Sequence, residues 1–482
     1  MLKGLIFSNS ENSRNLGAYR IAHILRQHNW DIEVIDFFSK WSREEIKQVL
    51  LQRVDSDTKF IGFGTLFLNE DHIPYWFFDL VKENYPDIVT IFGSQVKSGI
   101  DHQNVNYTLT GWADYSIVVL LKYLFSNGEI PVFEEQTYTK NIDSLTSYPA
   151  FPLESLTVLY QDRDYIEPWE TLTIEFSRGC KFKCKFCNFP VLGVKGDYSR
   201  SEIDFEHQLR DAYDRFGVQK YIVADETFND STQKIIKYAD IVEELPFAAY
   251  FSGFIRADLL ISHAAQLEHL ARMNFVGQYY GIESFNHESA KSIGKGMHPD
   301  KIKEGLIKTK NYFEKNNSKL YRGTIGLIIG LPHETEETLK ETEHWLTTNW
   351  KPQSFNPYVL EIPTSEKDIN SIIGRNYAKY GYQKYSNLTT EQEELIRCYL
   401  DSDATGVTRT SLIWQNADLN FIKAIEIFNR WRVIVEQCGF VNFELFQFKK
   451  LDFDASPNSC TQEPNNISTQ YKQRKLNYVH RT

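Results

Sequence analysis

Twice along this chain, short β-rich apolar segments alternate with amphipathic helical ones, and that alternation restricts the fold more than any other feature. Strands separated by helices pair in parallel, since a parallel neighbour needs a long crossover, and the crossovers then cover the sheet. In the first series LKGLIFS, DIEVIDFF, KFIGFGTLF and DIVTIFGS read as strands, with GAYRIAHILRQHN, EEIKQVLLQRV and PYWFFDLVKENY as helices between them. In the second, TLTIEFS, KYIVADE, FAAYFSG, VGQYYGIES, TIGLIIG and NPYVLEI are six strands. Helical stretches such as FEHQLRDAYDRFG, TQKIIKYADIVEEL, HAAQLEHLARMN and EETLKETEHWLTT separate them. The expected class is α/β: an N-terminal Rossmann-like doubly wound domain, a partial or complete TIM-type βα barrel, and a small, mainly helical C-terminal region.

The 482 residues have room for about three domains. The expected organisation is 1–139 for the first domain, 140–170 for a linker carrying Pro149, Pro152 and Pro168, and 171–363 for the barrel core. Residues 364–450 read as helical (EQEELIRCYL, FIKAIEIFNRWRVIVEQ) with a final strand FELFQF. The Asn-, Ser-, Gln- and Lys-rich stretch 451–482 is expected to be a disordered tail.

A net charge of −11 argues against extensive nucleic-acid or anionic-lipid binding, both of which need a basic footprint. No apolar run reaches the roughly 18 residues of a membrane span, and MLKGLIFSNSENSR turns polar too early for a signal-peptide core. A cytoplasmic, reducing location is expected. The cysteines agree: none precedes residue 180, three fall within eight residues, and Cys398, Cys438 and Cys460 stand singly.

Open parallel sheets bind ligands beyond the carboxyl ends of their strands. In the first domain the loops to watch are Ser8–Asn15, Gly64–Glu70, Gly93–Lys97 and Gly111–Asp114. No glycine-rich dinucleotide fingerprint follows the first strand, since Gly62-Phe63-Gly64 runs on to Phe67 without a third glycine, and no P-loop occurs. In the second series the polar residues follow strands: Arg178, Asp225, Glu226, Arg256, Glu283, His333 and Glu334. A barrel gathers all of them at one mouth.

The chemistry centres on Cys180-Lys-Phe-Lys-Cys184-Lys-Phe-Cys187. One short loop with three thiols can wrap a single metal centre. A closed structural zinc site would want a fourth ligand, and no second pair follows; His207 falls in a helix. Three thiolates and one open position suit a four-iron cluster. Arg178, Lys181, Lys183 and Lys185 interleave the cysteines and would lower the thiol pKa values and offset cluster charge; the alternative is ordinary solvated loop charge.

These residues resemble the radical S-adenosylmethionine (SAM) superfamily, whose CX3CXΦC loop follows the first barrel strand. Cys180, Cys184 and Cys187 fill that pattern and Phe186 is its aromatic. The resemblance implies a [4Fe-4S] cluster whose open iron chelates SAM, and reductive cleavage of SAM to methionine and a 5′-deoxyadenosyl radical. It also implies an electron donor such as flavodoxin or ferredoxin. Ala224-Asp225-Glu226-Thr227 stands where the family contacts the SAM amino group, though its glycines are missing. Gly281-Ile282-Glu283-Ser284 resembles the stretch reaching the ribose and methionine part, and Gly326-Leu-Ile-Ile-Gly330 the strand beside the adenine. Arg256 could pair the SAM carboxylate. Each has a plainer reading: helix capping by Asp225 or Thr227, a strand end satisfied by amides at Glu283 and Ser284, a surface salt bridge at Arg256, and close packing at Gly330.

The Rossmann-like first region resembles the cobalamin-binding type of radical SAM protein, with Gly111-Trp112-Ala113-Asp114 where relatives carry a glycine–glutamate–glycine turn. The DxHxxG motif of cobalamin-dependent mutases is absent. The domain thus either binds cobalamin, or is a relic that packs on the barrel or binds substrate. The expected activity is radical chemistry on a small-molecule, peptide or nucleotide substrate, with cobalamin-dependent methyl transfer its leading specific version. The alternatives are an iron–sulfur or redox-sensing protein without turnover, and a zinc-stabilised adaptor.

Overall fold

The computed structural model describes the whole chain except residues 11–12, 66–72, 95–99, 149–156, 188, 190–192, 196–197, 317–319, 365–370, 401–410, 438–466 and 478–482. Its first sheet has β1 (Lys3–Ser8), β2 (Asp31–Ile35), β3 (Thr58–Thr65), β4 (Val89–Ser94), β5 (Tyr107–Thr110), β6 (Glu134–Glu135) and β7 (Lys140–Asp143), in the order β2-β1-β3-β4-β5-β7-β6. All neighbours are parallel except β6 and β7. The order reverses between β1 and β3, which puts the ligand-binding crevice of a doubly wound sheet at their carboxyl ends. α1 (Leu16–Gln27), α2 (Arg43–Arg53), α3 (Tyr75–Asn84) and α4 (Ser116–Phe125) supply the crossovers. α1 starts where the Asn15 side chain accepts the Ala18 N–H, and α2 where Ser42 and Glu45 form a capping box.

The second sheet contains β8 (Thr171–Ile174), β9 (Lys220–Val223), β10 (Tyr250–Ile255), β11 (Phe275–Glu283), β12 (Arg322–Ile329) and β13 (Ser354–Val359). They lie in strict sequence order, all parallel, as an open six-stranded sheet. The α/β class, with a Rossmann-like domain followed by a partial barrel, is the one read from the sequence. The helices Thr390–Leu400 and Phe421–Gln437 pack with the barrel: Trp431 and Phe355 are edge-to-face, and Arg430 and Trp431 both donate to Glu343. The expected strand FELFQF lies outside the described residues.

Two segments differ from expectation. The first sheet does not stop at residue 139, because β7, inside the expected linker, pairs with β5. Its KNID sequence is too polar to read as a strand alone; Asn141 is buried by accepting from Thr108 and Thr110. The expected disordered tail contains a helix, Ile467–Leu476. That helix covers β2, the edge of the first sheet. The Tyr471 hydroxyl donates to the Val34 carbonyl (2.8 Å) and accepts from the Asp36 N–H (3.1 Å), two edge groups a neighbouring strand would otherwise satisfy. Lys475 and Arg53 pair with Glu33 at 2.8 and 3.1 Å. ISTQYKQRKL has one aromatic anchor and little other apolar surface, so its order comes from this docking and not from composition.

The domains share one hydrophobic core. It runs from α1 and α4 through Val158, Tyr160 and Ile166 to Phe205 and Leu209 on the barrel's first helix. A buried ion pair reinforces the junction: Arg14, after β1, donates twice at 2.8 Å to Glu170, which precedes β8, and its guanidinium lies 4.5 Å from the Tyr471 ring. Arg14→Ala leaves Glu170 buried without its cation. It should cost about 3–5 kcal/mol, read as a lower urea midpoint. A midpoint equal to wild type would show that the pair contributes nothing.

Candidate functional site

β8 ends at Ile174, and the chain turns through Glu175, Phe176, Ser177 and Arg178 into the cysteine loop. Gly179 makes the turn in a left-handed conformation (φ +85°) with Val194 against its α-carbon, a position that excludes side chains. The loop is pinned from several directions. Gly193 N–H donates to the Cys180 carbonyl (2.6 Å), Lys185 N–H to the Ile293 carbonyl (3.0 Å), and Ile373 N–H to the Lys185 carbonyl (2.9 Å). Phe186 packs its ring against the core. All three thiols are free and partly exposed.

Each thiol has a different polar neighbour. Cys180 Sγ is 3.5 Å from Thr227 Oγ1, Arg256 Nη1 donates to Cys184 Sγ at 3.5 Å, and Phe189 N–H donates to Cys187 Sγ at 3.4 Å. Among the described residues no three Cys, His, Asp or Glu side chains converge tightly enough to share one ion. Three thiols on one short loop are a donor set that fits an iron–sulfur cluster.

Three of the interleaving basic residues make contacts other than to the thiols. Burial pushes the Cys187 thiol up to about 11, and the neighbouring Cys184 and Cys180 add to it. Lys181 donates to the Asp230 carbonyl and Lys185 lies over Tyr380. Arg178 turns away into the domain junction. It is bidentate to Asp114 (2.7 and 3.2 Å), also holds Glu175, and its guanidinium is 5.1 Å from the Trp112 ring. Arg20 of α1 reaches the same Asp114 at 2.7 Å. Burial opposes ionisation of Asp114, but two guanidiniums outweigh it and hold the carboxyl far below the usual range. The loops after β5 and β8 therefore meet at a buried charge cluster.

The strand-end residues divide into two groups. Asp225 is buried and spent on the loop's backbone, accepting from Phe176 N–H (2.8 Å) and Ser177 Oγ (2.6 Å), with Lys234 3.6 Å away. It positions the cysteine loop and does not face the mouth. Ser284 is buried too, donating to Glu334 at 2.6 Å, and Glu334 also accepts the Gly330 and Leu331 N–H groups. Gly330 sits at φ +97° with Trp414 filling the space a side chain would need, so its role is conformation and packing. The Tyr382 hydroxyl donates to its carbonyl (2.7 Å).

Glu226, Arg256 and Glu283 remain at the mouth. Burial, with Asp225 and Glu175 nearby, pushes Glu226 up to about 8. Arg256 is bidentate to Asp258 (3.0 and 2.6 Å) and stacks 3.8 Å from the Phe182 ring. Its fork is taken by a carboxylate two residues on, leaving Nη1 for Cys184. Glu283 adopts φ +69° at a register shift between β11 and β12, with Lys295 3.3 Å from its carboxylate. His333, after β12, is at φ +68°. Left-handed backbone in non-glycine residues costs energy and collects at functional sites.

Sequence reasoning missed Arg20, Asp258 and Phe182, and it named Asp114 and Thr227 within their turns without the contacts they make to Arg178 and Cys180. Only Asp258, two residues from Arg256, carried a local signal.

Residues 174–346 match the Radical SAM superfamily. The chain is 22% identical over 217 residues to an uncharacterized methyltransferase of Pyrococcus horikoshii, covering 45% of this chain and 44% of that one. It is also 22% identical over 247 residues to an anaerobic magnesium-protoporphyrin IX monomethyl ester cyclase of Synechocystis, covering 47% and 48%. The chain thus matches less than half the length of either relative. Its fold is similar to that of the cobalamin-dependent SAM radical enzyme OxsB with aqua-cobalamin and SAM bound, at TM-score 0.56, 17% identity, and 79% and 56% coverage of this chain and that one. It is likewise similar to the radical SAM methyltransferase TsrM of Kitasatospora setae, at TM-score 0.60, 11% identity, and 81% and 79% coverage. Among the described residues no helix is long and apolar enough to cross a membrane.

Alanine at Cys180, Cys184 or Cys187 should each sharply lower iron bound after anaerobic reconstitution, whereas alanine at Cys398, Cys438 or Cys460 should leave it near wild type. Loss of iron in Cys438→Ala as complete as in Cys184→Ala would mean a fourth protein ligand.

Glu334 yields a pH dependence. Burial pushes it up to about 7, so the fold favours its protonated form. The stability it lends is full at acidic pH and is lost as pH rises through about 7. Glu334→Gln should therefore show a smaller fall in urea midpoint between pH 5 and pH 8 than wild type; an unchanged fall would assign the dependence to other groups.

Proposed function

With residues 174–346 belonging to the radical SAM superfamily, we propose that the chain is a cobalamin-dependent radical SAM methyltransferase. The observation that carries this reading is the meeting of two parallel sheets at their carboxyl edges: the loop after β5 grips the stem of the three-thiol loop through Asp114 and Arg178. Cys180, Cys184 and Cys187 would hold a [4Fe-4S] cluster with one iron left for SAM. When bound, that cluster supplies the electron that cleaves the SAM sulfonium, and cobalamin a cobalt that accepts and gives up a methyl group.

The protein's own groups prepare both sites. Asp225 fixes the backbone entering the cysteine loop, and the Arg256 N–H directed at Cys184 stabilises thiolate charge. Glu226, costly to ionise alone, gains most from a cationic partner such as the SAM ammonium. Glu283 offers a second acceptor for the ribose or amino end.

The first sheet provides a bed suited to a broad flat ring. Gly64 and Gly93 stand side by side in register at the ends of β3 and β4. Among the described residues, a β-carbon on Gly64 would meet nothing within 4 Å, and one on Gly93 only a carbonyl at 3.9 Å. Ser8, Thr65, Ser94 and Thr110 end these strands and their neighbours; Ser8 and Thr110 are buried and donate to Asp36 and Asn141. No histidine is offered from Ser8–Asn15, and His23 is turned into the core, where its Nδ1 accepts from Leu159 N–H (3.4 Å). A cobalamin held here would have no imidazole ligand from the first loop.

Glu226→Gln and Glu283→Gln should keep the cluster and weaken SAM binding by roughly 10- to 150-fold, the worth of about 1.5–3 kcal/mol for a charge-assisted hydrogen bond. Unchanged affinity in both would return them to capping and packing. The decisive assay is anaerobic reconstitution with iron, sulfide and hydroxocobalamin, then SAM with dithionite or reduced flavodoxin. Expected are 5′-deoxyadenosine, stoichiometric cobalt and a paramagnetic resonance spectrum without imidazole-nitrogen coupling. Bound iron without SAM cleavage would favour a redox sensor; no retained cobalt would remove the methyltransferase version.

A further inference from the structure

A closed parallel barrel fills its interior with packed layers of inward side chains. The open sheet here buries Ser252 and Thr324 on its inner face but leaves part of that face uncovered nearer the mouth. On β10, Phe251 and Ile255 enter the core beneath the helices, so strand alternation turns Phe254 to the opposite face, where it is 46% exposed. An exposed aromatic side chain on a central strand, paired on both sides, has no packing explanation in the fold itself.

Its neighbours form a floor. Tyr279 on β11 is its register partner, with ring centroids 5.0 Å apart and planes at 67°. One strand further, a β-carbon at Gly326 would lie 2.5 Å from the Tyr279 hydroxyl. Glycine there lets the phenol lie across β12 and widens the floor. Ile328 and Tyr358 are register partners on β12 and β13, and the Asn356 amide donates to the Tyr358 hydroxyl at 2.8 Å. None of these six residues carries a formal charge, whereas Glu226, Arg256 and Glu283 stand at strand ends. The layout is an apolar aromatic floor beneath a charged rim.

Resting on the reaction proposed above, we propose that this floor seats the methyl acceptor and selects an uncharged planar aromatic or conjugated ring, with Phe254 and Tyr279 as its specificity-determining residues. Two rings set nearly at right angles present one face and one edge to the same space. A flat π-system uses both, stacking on one and meeting the other edge-on, whereas a saturated ring gains only area burial.

The test titrates the reconstituted enzyme, saturated with SAM so that the adenine seat beside β12 is filled and without reductant, with 2-naphthol and with its saturated counterpart decahydro-2-naphthol, by calorimetry. Wild type should prefer 2-naphthol. Phe254→Leu keeps an apolar side chain but removes the ring, and should weaken 2-naphthol by about 2- to 12-fold, the worth of an aromatic contact beyond its area, while leaving decahydro-2-naphthol unchanged. Phe254→Tyr, which keeps the ring, should stay near wild type and serves if the leucine variant misfolds. Equal affinity for the two compounds in wild type, or 2-naphthol binding unaffected in Phe254→Leu, overturns the proposal. Because binding is read without turnover, the floor can fail while 5′-deoxyadenosine forms, or stand where SAM is not cleaved.

Discussion

The rest of the structure depends on a buried charge cluster between the two sheets. Asp114 takes Arg178 and Arg20 together, and Arg178 also holds Glu175. Burying these charges is costly unless each is matched. The carboxylates and guanidiniums alternate here, so removing any one strands another. Arg178 lies two residues before Cys180, and Asp114 closes the turn after β5. The cluster therefore fixes the cysteine loop against the carboxyl edge of the first sheet. The shared hydrophobic core beneath and the Arg14–Glu170 pair at the other end of β8 act in the same sense.

Around that junction the mouth divides its labour. Asp225, Ser284, Glu334 and Gly330 are inward-turned and set backbone geometry, while Glu226 and Glu283 stay at the mouth with the thiols. Lys295 holds Glu283 in its left-handed conformation by donating also to the Gly281 carbonyl at 2.7 Å.

Much of this was legible in the sequence because it is local. The three-cysteine spacing, the aromatic at Phe186 and the two periods of strand and helix each lie within a short window, and the two sheets follow from them. The junction was not legible: Arg178 and Asp114 are 64 residues apart, and the local sequence of neither points to the other. Arg178 was instead assigned to the cysteines beside it, since proximity in sequence was the only available guide. Asp225 and Glu226 were read as a pair, yet adjacent side chains at a strand end point to opposite sides, and only one reaches the mouth. The helix Ile467–Leu476 escaped because its stability comes from the edge of β2, on which a polar ten-residue sequence carries no signal.

We propose that the two carboxyl edges form one working cavity, in which Gly64 and Gly93 would bed a cobalamin and Cys180, Cys184 and Cys187 would hold the cluster. Its most direct test is the magnetic interaction between cob(II)alamin and the reduced cluster in the doubly reconstituted enzyme, measured by pulsed paramagnetic resonance. A dipolar coupling of single, defined strength in wild type, broadened or lost in Asp114→Ala, is the predicted result. Stoichiometric cobalt and cluster with no mutual coupling would contradict the account.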